Sequence, residues 1–191
     1  KYGHISDWDT SEVTDMSKLF LNAHSFNEAI GSWDVSNVTT MHAMFDNAVK
    51  FNQPLEKWNT SNVEDMSEMF SSTTPTSFNQ SIGNWDVSKV KDLTFTFYNA
   101  SDFNQDISAW DTSSVRSMRG AFSHAKSFNQ PVGSWNVSNV ENMAQMFEEA
   151  LNFNQLLDNW DTSSVQDMSG MFRCKTIMAS KFNQSIEKWD V

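Results

Sequence analysis

The chain has 191 residues, of which 39% are hydrophobic and 13% aromatic, and a formal charge of −11. That charge argues against nucleic acid or an anionic membrane as partner, because phosphate contacts need clustered Lys and Arg. The single cysteine, Cys174, excludes an intrachain disulfide, and no apolar run approaches the ~20 residues of a membrane span.

Eight tryptophans set a period. Trp8, Trp33, Trp58, Trp85, Trp110, Trp135, Trp160 and Trp189 are spaced by 25, 25, 27, 25, 25, 25 and 29 residues. A repeat of this length decides the architecture before local propensity does. Ile5 and Trp8 already occupy repeat positions, and Val191 falls inside another repeat. The expectation is therefore one array over 1–191, cut from a longer polypeptide.

Each repeat opens on a predicted strand. Phe26, Phe51, Phe78, Phe103, Phe128, Phe153 and Phe182 are each followed by Asn, then by Gln (or Glu28). Two positions later stands an aliphatic: Ile30, Leu55, Ile82, Ile107, Val132, Leu157 or Ile186. These even offsets put Phe, Gln and the aliphatic on one face of a strand. After Trp come Asp or Asn, Thr or Val, and an unvarying Ser. That Ser either caps a helix beginning before the next Val or opens a second extended piece, the preferred reading. From the Met position onward, as in Met168–Phe172, apolar residues fall at i, i+3 and i+4, the stripe of a short amphipathic helix. Insertions at 71–77 and 173–181 fall in the same loop of their repeats and leave the register intact.

The expected fold is an α/β repeat. It is a right-handed leucine-rich-repeat-like solenoid of about 7–8 coils of 25 residues, each a short parallel strand plus a short helix. Coils ~4.8 Å apart would make a rod of roughly 35 Å.

The combination FNQ-x-I-x-x-WD-[TV]-S-x-V-x-x-M-x-x-MF-x-x-A resembles the 25-residue repeats of BspA-like leucine-rich-repeat surface proteins. It is closest to the branch typical of mycoplasma-type surface lipoproteins, and the likeness covers the whole chain. The resemblance implies an extracellular or cell-surface location and a role in adhesion or host and cell–cell interaction. It implies no catalytic residues. The departures Glu28, Leu93, Thr96 and Ala121 thin the core, chiefly in repeats four and five, where Phe95 and Tyr98 are expected to compensate.

The Trp, Phe and Met columns read as close-packed core. The Asn and Gln columns read as a hydrogen-bonded ladder between neighbouring coils, or else as contacts for sugar hydroxyls. The Asp column after Trp (Asp9, Asp34, Asp86, Asp111, Asp161, Asp190) reads as turn acceptors in preference to a calcium ladder. No catalytic, cofactor or metal set emerges. Recognition is assigned to positions that vary between repeats: Ala29, Pro54, Ser81, Asp106, Pro131 and Leu156 before the strand aliphatic, and Glu56, Lys57 and Asp158 before Trp. A basic cluster of Lys89, Lys91, Arg116 and Arg119 adds a second candidate surface. The expected activity is a non-enzymatic interaction or adhesion module with a protein or glycan partner. The alternative is a structural rod or spacer with end-to-end or homo-oligomeric contacts.

Overall fold

The computed structural model describes residues 3–175 and 180–189. Repeats are numbered one to eight by their tryptophans, each with the run of turns that follows. They stack in chain order, yet the predicted α/β architecture does not form. Among the described residues there is no α-helix. Regular structure is limited to a 3-10 turn at Ile5–Asp7 and isolated parallel bridges one residue wide. The leucine-rich-repeat and solenoid descriptions fall with the strand-plus-helix coil.

The reason lies in where the backbone groups go. In repeat two, Met41, Ala43, Phe45 and Asn47 donate their N–H groups to Asp65, Ser67, Met69 and Ser71 of repeat three at 2.8–2.9 Å. The intervening Met44, Asp46 and Ala48 donate three residues back, to Met41, Ala43 and Phe45, at 2.9–3.2 Å. An α-helix needs every N–H for the carbonyl four residues back, and here every second one is spent on the neighbouring repeat. The alternation takes positive φ at one or two sites per run, two of them at Ala43 (51°) and Asn47 (58°), or at Phe95 (53°) and Asn99 (59°). Left-handed backbone costs a non-Gly residue about 1–2 kcal/mol, and the inter-repeat bonds offset it.

The strand fails for a related reason: side chains take the bonds a sheet would use. The N–H of Asn52 donates to Asn27 Oδ1 at 2.9 Å, and the same link recurs through Asn79, Asn104, Asn129, Asn154 and Asn183. The following Gln donates Nε2 to the same oxygen, as in Gln80 to Asn52 at 2.9 Å. The aliphatic carbonyl is claimed by the next repeat's indole: Trp58 Nε1 reaches Ile30 O at 3.2 Å, and Trp110 reaches Ile82 O at 3.1 Å. This is the expected Asn/Gln ladder, lying half-buried at the surface. The remaining β pairing joins the residues before Met, from Asp15↔Thr40 to Asn142↔Asp167.

The core is the stack of columns. Two Phe columns run its length with ring centroids 5.4–6.1 Å apart between repeats. Both continue across the 71–77 insertion, whose Ser72 is itself buried and bonded to Asn47. The 173–181 insertion falls partly outside the described residues.

The true structural period is two repeats. Indoles stack in pairs: Trp8 on Trp33, Trp58 on Trp85, Trp110 on Trp135 and Trp160 on Trp189, at 6.0–6.4 Å. Within these pairs the odd repeat's Thr bonds the even repeat's backbone: Thr10 Oγ1 to Asp34 O, Thr60 to Asp86 O and Thr112 to Asn136 O, each 2.9 Å. The even repeats carry buried Val35, Val87 and Val137 there. Between pairs, Gly31, Gly83 and Gly133 lie against the carbonyls of Pro54, Asp106 and Leu156, where an added Cβ would collide. The alternation Thr10, Val35, Thr60, Val87, Thr112, Val137, Thr162 is readable in the sequence.

Candidate functional site

The run of turns carries two varied columns, two and five residues after the Met position. One reads Lys18, Ala43, Glu68, Phe95, Gly120, Gln145, Gly170, and the other Leu21, Asp46, Ser71, Tyr98, Ser123, Glu148, Arg173. Like the varied positions before Trp, these letters differ from repeat to repeat. From repeat three to repeat seven they line a groove of about 450 Å³.

The groove is built by unlike neighbours. Glu68 and Ser71 form one end. Phe95 and Tyr98 follow, edge to face at 5.5 Å and 80°. Tyr98 meets the His124 ring edge-on at 5.6 Å and 76°. Gly120, at φ 59°, leaves the space that the Phe95 ring occupies: a Cβ there would run into the ring. In repeat six, Glu148 is 5% exposed and fixed from two sides. Gln145 Nε2 donates to its Oε2 at 2.7 Å, and Arg173 donates to its Oε1 through Nε at 2.8 Å and through Nη2. A buried carboxylate held this way is rigid and costly to unpair. Lys175 closes the far end. The departures Leu93, Thr96 and Ala121 are buried, and Thr96 Oγ1 reaches Leu93 O at 2.8 Å. The core is thus filled without Phe95 and Tyr98, which lie half-buried in the groove instead.

The positions singled out by sequence lie elsewhere. Ala29, Pro54, Ser81, Asp106, Pro131 and Leu156 are exposed. Ala29, Pro54, Glu56 and Lys57 line a shallower depression of about 280 Å³ at repeats one to three. Asp106 accepts from the Ser108 N–H within its own turn, and Asp158 pairs with Lys188 at 3.4 Å. The basic cluster is dispersed into local contacts: Lys89 to Asn62, Lys91 to Glu64, and Arg116 to Glu141 at 3.3 Å. Arg119 stacks over Phe95, 5.2 Å from the ring centroid, and so borders the groove.

The described members of the Asp column form turns, and Asp190 lies outside the described residues. Asp9, Asp34, Asp86, Asp111 and Asp161 each accept the N–H of the Ser two residues on, as do Asn59 and Asn136 in the same place. Bonds from the Ser hydroxyl and N–H hold these five carboxyls below their ordinary value of 3.8. Asp46 is pushed the other way, by burial and then by the Glu68 charge. A depressed pKa gives stability above the unfolded value that disappears as pH falls through the folded one. Acidification below about pH 4 is therefore expected to lower the urea midpoint. A variant with Asn at all five positions keeps the acceptors and should lose less between pH 6 and pH 2. Asp46 acts with the opposite sign, its contribution fading as pH rises through its elevated pKa. Equal acid sensitivity of the two proteins would refute this account. Among the described residues no three His, Cys, Asp or Glu side chains converge as a metal site, and no helix is long and apolar enough to cross a membrane.

Across known families, the one described as "Mycoplasma protein of unknown function, DUF285" matches residues 1–92 and 73–189. The chain belongs to this family. The match supports a mycoplasma-type repeat protein and does not extend to the BspA-like leucine-rich-repeat assignment. No curated protein and no solved structure matches the chain. DUF285 membership brings no activity with it, so the site has to speak through its own chemistry.

Proposed function

We propose that this DUF285 chain is a non-catalytic interaction module, a single array displayed at the cell surface, that binds its partner through the repeat-three-to-seven groove. The observation that carries this reading is the Phe95–Tyr98–His124 cluster beside the fixed Glu148–Arg173 pair. Exposed aromatic and arginine side chains on a rigid support are the anchors of recognition surfaces, and a varied face on a repeated scaffold is how arrays present one. The turn-bonded Ser and Asp residues have structural work, which supports the absence of catalysis. Beads coated with the chain should adhere saturably to cultured cells or extracellular matrix, and soluble chain should compete. Adhesion should fall at least tenfold with Tyr98→Ala/His124→Ala, and equal adhesion by that variant would overturn the proposal.

A second reading, a rod or spacer joined end to end, draws on an apolar depression of about 400 Å³ at Met168, Met171, Phe172, Ile186 and Trp189. Small-angle scattering that does not change with concentration would dispose of it.

A further inference from the structure

We infer that the groove takes a short, uncharged saccharide; this rests on the interaction-module reading and names its ligand class. The first reason is what the groove does not offer. A peptide that binds as an added strand needs a free row of backbone N–H and C=O groups. Along this groove the row is used up by the stack itself: Phe95 N donates to Arg119 O, Gly120 N to Ala144 O, His124 N to Glu148 O and Gln145 N to Ser169 O, at 2.7–2.9 Å. Recognition there must run through side chains.

The second reason is which side chains those are. Tyr98 and His124 supply apolar ring surface with polar edges. Gln145 and Arg173 supply planar hydrogen-bonding groups locked in place by Glu148. A sugar ring has the matching shape, with C–H faces for the aromatic rings and hydroxyls around its rim for the amide and guanidinium. The volume, about 450 Å³, falls within the range of about 300–1,000 Å³ usual for small-molecule sites.

The third reason is an orphan. Ser123 is 1% exposed, lines the groove, and its Oγ has no hydrogen-bond partner among the described residues. A buried hydroxyl left unbonded is unfavourable. A sugar hydroxyl, which both donates and accepts, is its chemical complement. Charge sets the last limit. Glu68 at one end opposes Arg173 and Lys175 at the other, and the chain as a whole carries −11. The groove therefore has no net preference for a polyanion.

The test is a printed panel of neutral, N-acetylated and acidic oligosaccharides probed with the 191-residue chain, followed by calorimetric titration of the strongest binder. The expected result is saturable binding of a neutral or N-acetylated member. Tyr98→Ala and Ser123→Val should each weaken it at least tenfold, Tyr98→Phe should retain most of it, and Leu156→Ser, exposed and outside the groove lining, should leave it unchanged. Far-ultraviolet dichroism and melting curves of the variants establish that they fold. A silent panel, binding confined to acidic members, or binding that survives both Tyr98→Ala and Ser123→Val overturns the inference. Groove-dependent bead adhesion with a silent panel would sink the saccharide and leave the interaction module standing.

Discussion

Trp110→Ala is expected to lower the unfolding free energy by about 3–5 kcal/mol, the range for removing a large aromatic side chain from a packed core. Trp110 is 4% exposed and stacks on Trp135 at 6.1 Å and 6°. Trp135 and the Phe97 ring, 6.3 Å away, wall the site, so the cavity is lined by stiff aromatic rings. The indole also bonds Ile82 O at 3.1 Å, a carbonyl that Trp85 N bonds independently at 3.1 Å. Trp110→Phe should therefore cost much less, about 1–2 kcal/mol, because it keeps most of the ring and leaves that carbonyl one partner. In an array whose units contact only their neighbours, a central lesion also uncouples the two halves. The urea transition of Trp110→Ala should broaden as well as shift. A loss below about 1 kcal/mol would mean that the columns are not the main source of stability.

Much of this was legible in the letters, and the part that was not has a definite cause. The period, the aromatic core, the Asn ladder and the Asp–Ser turns could be read because each repeat sets the same residue type the same task. Secondary structure could not. The spacing Met41, Met44, Phe45, Ala48 fits one face of a helix equally well as a chain of turns whose N–H groups go alternately back three residues and across to the next repeat. The distinguishing sign is positive φ, and its usual marker, Gly, stands only at Gly120 and Gly170 among these positions. Lys18, Ala43, Phe95 and Gln145 hold the same conformation without announcing it. The predicted strand does not form because Asn and Trp side chains intercept the ladder bonds, a competition that β propensity does not weigh. Phe95 and Tyr98 were visible as departures but read as core filler. Only the Phe95 ring lying over Gly120 shows why they face the groove.

The pairing of repeats makes a prediction that a simple sum of identical units contradicts. Removing 111–135, one 25-residue repeat, joins Trp110 to Asn136 and keeps the 25-residue period. Removing 111–160 takes out 50 residues and joins Trp110 to Asp161. If all repeats were equivalent, the longer protein would be the more stable, since it keeps one more interface. The paired arrangement gives the reverse order. In the single-repeat deletion Ser108 takes the place of Gly133 beneath Leu156, where any Cβ collides with the Leu156 carbonyl. Val87 then precedes Val137, and Asn136 O loses the bond it receives from Thr112 at 2.9 Å. Overpacking of this kind costs about 1–3 kcal/mol, and the abandoned carbonyl adds about 1 kcal/mol. The double deletion meets neither conflict: Ser108 is followed by the front of repeat eight, as Asp158 is in the intact chain, and Val87 is followed by Thr162. The shorter protein should accordingly unfold at higher urea than the longer one, the two conflicts, together about 2–4 kcal/mol, outweighing the net gain from one added repeat. The opposite order would show that Thr, Gly and the paired indoles alternate without energetic consequence, and that the unit of this stack is a single repeat.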